Sequence, residues 1–479
     1  MQNLWGTLMK RSLDARPPIP SPQGARTPMR ADAPTCTPSM RGGRRQPNPR
    51  HSLFLRQIVL VAAVCTVLAT PALAAPTLVV SIDGLAHRFV AAHKARMPVL
   101  QKLIAGGYFN RLISTFPSMT WAAHATMVTG LRPGEHGVVG NRWLDHATGK
   151  AIEAWEVPMP IQARTIWAAA ADAKLKVAAI QWPNTSGERR ITWNIPEVYG
   201  KAYDSDISGP ARQELAAIGY KAEDLKTFAD EEAFLMDNQS RDLAVRLWGA
   251  QDVDLMLLHF LAVDTVAHKY GPDHPAVGIA AEYVDRMLGD VLTAAQRSAK
   301  GKQLNVIVVS DHGFLAINNW IKTNALVDGA PVTAANRSRL RVLHNGHCAY
   351  VYGLAPNDRA AYAAWASKKV KGFDQVIEPR NYASYGFAQP SLSPDSRVPD
   401  LIVVAKPDTL FVSPLSRSQS KGGHGYLPTV PELSAVMVRQ GPAFKTALPT
   451  SVNPDMTLVA QQIGLALGIA FAPKAGAAK

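Results

Sequence analysis

Three aspartates and three histidines stand out because each follows a short apolar run or sits in a glycine-rich turn. Asp83 follows the run 77–82 in Ser81-Ile82-Asp83-Gly84, Asp264 and His268 follow 254–259, and Asp311-His312 follow 305–310. His424 lies within Gly422-Gly423-His424-Gly425-Tyr426. Imidazole and carboxylate together make a donor set for zinc or a similar divalent ion. Asp264 and His268 are four residues apart, so one helical turn presents both on the same side. Thr120 adds a hydroxyl where a loop gives way to a helical pattern. Such a hydroxyl can cap the helix. The same place is electropositive and offers free N–H groups to an anion, and a hydroxyl beside a divalent metal can be deprotonated and attack phosphorus. Each piece alone has a plain alternative, whether an Asp-Gly turn, a loop, a surface ion pair or a solvated histidine. Their joint occurrence and order point to a site.

The elements that must hold these groups are legible as a pattern. Val/Ile/Leu-rich runs at 77–82, 177–181, 254–259, 305–310 and 400–405 read as buried strands. Helical patterns lie between them at 98–105, 166–173, 231–247 and 275–298, with Pro275 suited to a first helical position. The alternation predicts an α/β fold with a mostly parallel central sheet covered by helices on both faces. Ligands of such sheets bind beyond the carboxyl ends of the strands, where the aspartates and histidines fall. Residues 315–397 break the alternation with an aromatic, turn-rich stretch at 342–354 and a helical pattern at 358–369. They are expected to form a small inserted cap subdomain within a catalytic domain spanning 76–479.

With 47% hydrophobic and 18% charged residues in 479, the chain is no disordered polymer. Its net charge of +14 is unevenly placed. Residues 1–75 hold ten basic and two acidic side chains, a net +8, which leaves +6 for the remaining 404 residues with no basic run. That distribution argues against a stable nucleic-acid partner. Arginines precede an apolar run at 58–70, and Ala72-Leu73-Ala74-Ala75 follows it, so 1–75 reads as a leader and signal peptide ending near Ala74. Translation from Met40 instead of Met1 fits the same pattern. The expectation is a periplasmic or secreted protein without a mature membrane span. Of three cysteines, Cys36, Cys65 and Cys348, only Cys348 would then remain, as a small buried hydrophobe.

Taken together, the motifs resemble the nucleotide pyrophosphatase/phosphodiesterase family of the alkaline phosphatase superfamily. The likeness runs from about 77 to 444 and is concentrated in 115–141, 264–272 (Asp-Thr-Val-Ala-His-Lys-Tyr-Gly-Pro) and 422–426. The resemblance implies an alkaline-phosphatase-like fold and two zinc ions per chain. One would be held by Asp264, His268 and His424, the other by Asp83, Asp311, His312 and the nucleophile Thr120. Asn141 and the backbone N–H of Trp121 would bind a phosphate oxygen, and a phosphothreonine would form and be hydrolysed.

The expected substrate is a small phosphodiester or nucleotide. One branch of related monoesterases, with a threonine nucleophile, carries a Lys-x-Arg pair after the second strand of the alternation, where this chain has Gln181-Trp182-Pro183-Asn184-Thr185. A phosphate monoesterase on the same fold stays the alternative, because Gly140-Asn141-Arg142-Trp143 is similar to that branch and Arg142 could meet the extra charge. Trp121 takes a place where the family tends to have an aromatic that stacks on a nucleobase; it reads equally as core. His259 stands where nucleotide-hydrolysing members often have tyrosine, which marks it as a substrate-binding candidate and opens glycerophosphodiesters and choline phosphodiesters as substrates. His124, His136, His344 and His347 are read as structural or surface histidines.

Overall fold

The computed structural model describes residues 75–156, 160–197, 206–221, 233–391, 396–417, 419–445 and 453–475. The leader expected at 1–75 lies, except for Ala75, outside the described residues. No helix among the described residues is long and apolar enough to cross a membrane.

Eleven strands build the two sheets that matter for the site. They are β1 (Thr77–Ile82), β2 (Tyr108–Leu112), β3 (Val177–Trp182), β4 (Trp193–Pro196), β5 (Leu255–Phe260), β6 (Asn305–Val309), β7 (Arg341–Asn345), β8 (Cys348–Tyr352), β9 (Phe373–Ile377), β10 (Leu401–Ala405) and β11 (Ala435–Gln440). The central sheet has the order β2-β11-β6-β1-β5-β3-β4. Strands β6, β1, β5, β3 and β4 are mutually parallel, and β11 runs against both β6 and β2. The chain places β5 on one side of β1 and crosses to place β6 on the other. The carboxyl ends of these three strands therefore meet at a switch point, where α/β sheets open a crevice.

The strands read as continuous apolar runs because both faces are covered. Val79, Leu257, Ile307 and Val309 pack into one core with the helices Thr120–Thr129, Ile166–Asp172 and Leu458–Leu467. Their neighbours Leu78, Val80, Leu258 and Val308 pack into a second core with Pro98–Ala105, Ala233–Ala250 and Pro275–Arg297. Pro275 is at the start of its helix, and the His274 side chain accepts from the Ala276 N–H as its cap.

The run at 400–405 departs from expectation. Instead of joining the central sheet, β10 lies between β8 and β9 in a four-stranded antiparallel sheet ordered β7-β8-β10-β9. A five-residue run buried on both faces carries no periodicity that says which sheet it joins. One face of this small sheet has its own core of Ala349, Val351, Leu401 and Val403, while Tyr350, Ile402 and Val404 turn toward the main core. Because β10 belongs to it, the small sheet reaches past residue 397. The place in the central sheet is taken by β11.

Candidate active site

Five of the six predicted polar groups follow strands of the central sheet. Asp83 follows β1, Asp311 and His312 follow β6, and Asp264 and His268 ride on the short helix Ala262–Tyr270 after β5. His424 arrives on the loop after the two-residue strand Gly422–Gly423, which pairs with Leu315–Ala316. The structure brings all six together. His268 and His424 approach Asp264 Oδ1 at 3.5 and 3.8 Å. His312 Nε2 lies 3.5 Å from Asp83 Oδ1 and 3.2 Å from Asp311 Oδ2. Two sets of ligand atoms can each surround one cation, Asp264/His268/His424 and Asp83/Asp264/His312, so Asp264 borders both. Asp311 is tied in by its other oxygen, which accepts the N–H groups of Gly84 and His312 at 3.0 Å each.

The donor chemistry fits a divalent metal. His268, His312 and His424 hold Nδ1 against the carbonyls of Gly422, Gly313 and Ser118 at 2.9, 3.1 and 2.9 Å. A carbonyl only accepts, so each Nδ1 carries the proton and each Nε2 presents a lone pair to the centre. One buried oxygen on each of Asp83, Asp264 and Asp311 has no hydrogen-bond partner. Burial, with Asp264 and Asp311 adding their charges, holds the Asp83 carboxyl well above the usual range. Burial likewise pushes Asp264 up to about 6 and His312 down to about 3. Carboxylates that resist ionising and imidazoles that resist protonation leave a bound cation as the group that satisfies both.

Thr120 is the first residue of its helix. The N-cap is Met119, and the Thr120 side chain makes no cap hydrogen bond, so the capping role that the sequence allowed is not taken. Its Oγ1 lies 3.5 Å from His312 Nε2. The Trp121 N–H donates to Asn141 Oδ1 at 3.3 Å, which leaves the Asn141 NH₂ as the donor end of that side chain. Trp121 is only 5% exposed and packs against the half-buried Trp155, with ring centroids 5.7 Å apart. Burial favours the core reading of Trp121; Trp155 is the aromatic of this pair with a solvent face.

His259 differs from expectation. Its side chain is fully buried, with Nε2 3.3 Å from Asp83 Oδ2 and Nδ1 3.1 Å from Glu197 Oε2 and 3.0 Å from the Gln181 carbonyl. A ring enclosed by Asp83 and Glu197 has no face left for substrate, so it backs a candidate metal ligand instead. Burial works against protonation of His259, but the bonds and charges of Glu197 and Asp83 outweigh it and hold the imidazole well above its ordinary value.

His124, His136 and His347 are satisfied within the protein. His124 bonds the Thr120 carbonyl at 2.8 Å and Ser81 Oγ at 3.0 Å. His136 bonds Thr126 Oγ1 and accepts from the Val138 N–H. His344 is pushed down to about 3 by burial, and His347 lies between the carbonyls of His424 and Pro407. Cys348 is buried and donates to the Gly425 carbonyl.

Two residues near the site carry no motif. Glu197 supports His259. Asn345, at the tip of the β7–β8 hairpin, accepts from the N–H groups of Asn141 and Arg142. The one signal at Asn345 was its place in the turn-rich stretch 342–354.

The sequence profile of the type I phosphodiesterase/nucleotide pyrophosphatase family matches residues 77–427. Among curated relatives, ectonucleotide pyrophosphatase/phosphodiesterase family member 1 of Mus musculus is 23% identical over 386 residues, 77% of this chain and 38% of its own. Family member 5 of Homo sapiens is 24% identical over 395 residues, 77% of this chain and 69% of its own. The chain spans less than half the length of the first curated relatives it matches. The solved structure of murine member 5 shares the fold, with a TM-score of 0.62 at 20% identity over 84% of this chain and 97% of that one. An inactive form of that murine protein, in complex with AMP, gives a TM-score of 0.61. The family match opens at β1, before Asp83, and closes just after His424, so it takes in every group converging at the strand ends: the chain belongs to the type I phosphodiesterase/nucleotide pyrophosphatase family.

Proposed function

We propose that this chain is an exported, metal-dependent phosphodiesterase/pyrophosphatase that works through a phosphothreonine on Thr120. The observation that carries the reading is Thr120 Oγ1, free of any capping role at a helix start and 3.5 Å from Nε2 of His312, a member of the candidate cation site Asp83/Asp264/His312. Asp264, His268 and His424 would hold one zinc ion, and Asp83, Asp311, His312 and Thr120 the other. Such a pair, when bound, lowers the pKa of the attacking hydroxyl and neutralises charge on the leaving oxygen.

The rest is done by the chain. Thr120 Oγ1 gives up its proton and forms a bond to phosphorus as the bond to the leaving alcohol or phosphate breaks, and the leaving oxygen ends with that proton. The helix start supplies a positive field at the phosphoryl group. Asn141 turns its NH₂ toward the non-bridging oxygen, held in that orientation by the Trp121 N–H on its Oδ1. Water then forms the second bond to phosphorus, the Thr120–phosphorus bond breaks, and Thr120 regains a proton.

A diester is favoured over a monoester because Arg142 is already engaged. Its Nε lies 2.9 Å from Glu153 Oε1, and its guanidinium is 4.6 Å from the Trp155 ring centroid. The AMP bound to the murine relative supports a small nucleotide ester as substrate. The test compares bis(p-nitrophenyl) phosphate and the p-nitrophenyl ester of thymidine monophosphate with p-nitrophenyl phosphate. Diesters should be preferred, and chelation or Thr120→Ala should each lower kcat at least about a thousandfold. Full activity in Thr120→Ala would falsify the covalent route, and a higher kcat/KM on the monoester would favour the phosphatase. Mass measurement of the exported protein should give a chain starting near Ala75.

A further inference from the structure

The Asn141 loop and the His424 loop are far apart in the chain, yet one hairpin tip touches both. Asn345 closes β7, and Gly346 and His347 form the turn to β8. Asn345 is fully buried. Its Oδ1 accepts from the N–H groups of Asn141 and Arg142, at 2.9 Å each, and its Nδ2 donates to the Arg142 carbonyl at 3.0 Å. On the other side, His347 Nδ1 lies 2.8 Å from the His424 carbonyl. Gly346 has φ +64°, and a Cβ there would sit 2.1 Å from the same carbonyl. The turn thus needs glycine both for its backbone and for its close approach to the His424 loop.

We propose that Asn345 is a positioning residue for phosphoryl transfer, fixing the loop that aims Asn141 at the phosphate oxygen; this rests on the role given to Asn141 above. The physical case is a matter of unpaired groups. The backbone N–H of Asn141 and of Arg142 turn to Asn345, and only a side chain with one acceptor and one donor at its tip satisfies both together with the Arg142 carbonyl. Removing it leaves two backbone donors without their partner, which the loop relieves by moving. Asn141 moves with it, and its Oδ1 loses register with the Trp121 N–H. Displacements of about 1 Å at a donor of this kind cost on the order of a hundredfold in rate.

A merely structural role for Asn345 would lower stability and leave the chemistry in proportion to the folded fraction. The distinguishing measurement is a double-mutant cycle on bis(p-nitrophenyl) phosphate with Asn345→Ala, Asn141→Ala and the pair, each at equal zinc content. Asn345→Ala is expected to lower kcat about 10- to 100-fold with KM changed less than about threefold. In the Asn141→Ala background the same change should cost less than about threefold, because the group being positioned is gone. Asn345→Asp keeps acceptors for both N–H groups but sets an oxygen against the Arg142 carbonyl, so it should fall between. It also provides the measurement if the alanine variant does not fold. Equal losses in both backgrounds, or an unchanged kcat in the folded variants, would overturn the inference. If Asn141→Ala and Thr120→Ala are themselves fully active, the phosphoryl-transfer reading has failed instead.

Discussion

His268 and His424 point their Nε2 atoms at each other across 3.1 Å, and each ring donates its Nδ1 proton to a backbone carbonyl. Two lone pairs at that distance repel unless a cation or a proton lies between them. A proton is resisted, because burial and the neighbouring imidazoles of His312 and His268 hold His424 well below its ordinary value. Asp264 Oδ1 closes the third side. Zinc should therefore stabilise the fold as well as enable chemistry, by about 4 kcal/mol when free zinc is a thousand times its Kd. Thermal unfolding with and without zinc checks this, and identical curves would count against it. His424→Ala should reduce the zinc content of the purified protein from two ions to one.

The buried file Asp83–His259–Glu197 makes a second prediction. His259 orients a candidate ligand from behind, so His259→Gln should weaken metal binding at the Asp83 site about 10- to 100-fold. The order of preference among diester substrates should stay the same. Zinc competition against a chromophoric chelator reads the first effect and a panel of leaving groups reads the second. Unaltered zinc affinity with a reordered panel would instead make His259 a substrate contact.

Much of this site was readable in the sequence because its groups sit at strand ends. Asp83, Asp264 and Asp311 each close an apolar run, and the parallel sheet that those runs imply brings their ends together. Asn345 was not readable. It reaches Asn141 through tertiary packing of a hairpin some two hundred residues away, and no local pattern encodes that. The burial of His259 between Asp83 and Glu197 was not readable for a related reason, since its position in the chain says nothing about which way a strand-end side chain turns. Residues of β5 alternate between the two sheet faces, and His259 turns toward Asp83 and Glu197. The assignment of β10 failed because five buried apolar residues look alike in either sheet.

Arg142 separates the two ester classes. It is held by Glu153 and Trp155, and its ion pair is about a fifth to a quarter exposed, a setting in which such pairs contribute up to about 1 kcal/mol. Arg142→Ala should therefore change kcat/KM for diesters and for p-nitrophenyl phosphate alike, and by less than about threefold. A hundredfold loss confined to the monoester would bring the guanidinium into the site and revive the phosphatase reading.

Asp237 gives stability a pH dependence of its own. It is fully buried, and its two oxygens accept the N–H groups of Leu261 and Ala262, which start the helix that carries Asp264. Burial raises its pKa to about 7, against opposing hydrogen bonds from those two amides. An acid whose folded pKa lies above its unfolded value binds its proton more tightly when folded. Its contribution to stability is thus complete below about pH 4 and is lost as pH rises through about 7. Asp237→Asn cannot titrate and sets an NH₂ against one of the two amides, so its penalty does not change with pH. The wild type should be clearly more stable than the variant at pH 4, and the gap should narrow steadily to pH 8. Melting temperatures of the two proteins across that range test the sign, and a gap that widens with pH would mean that Asp237 is ionised in the fold and held by its two amides.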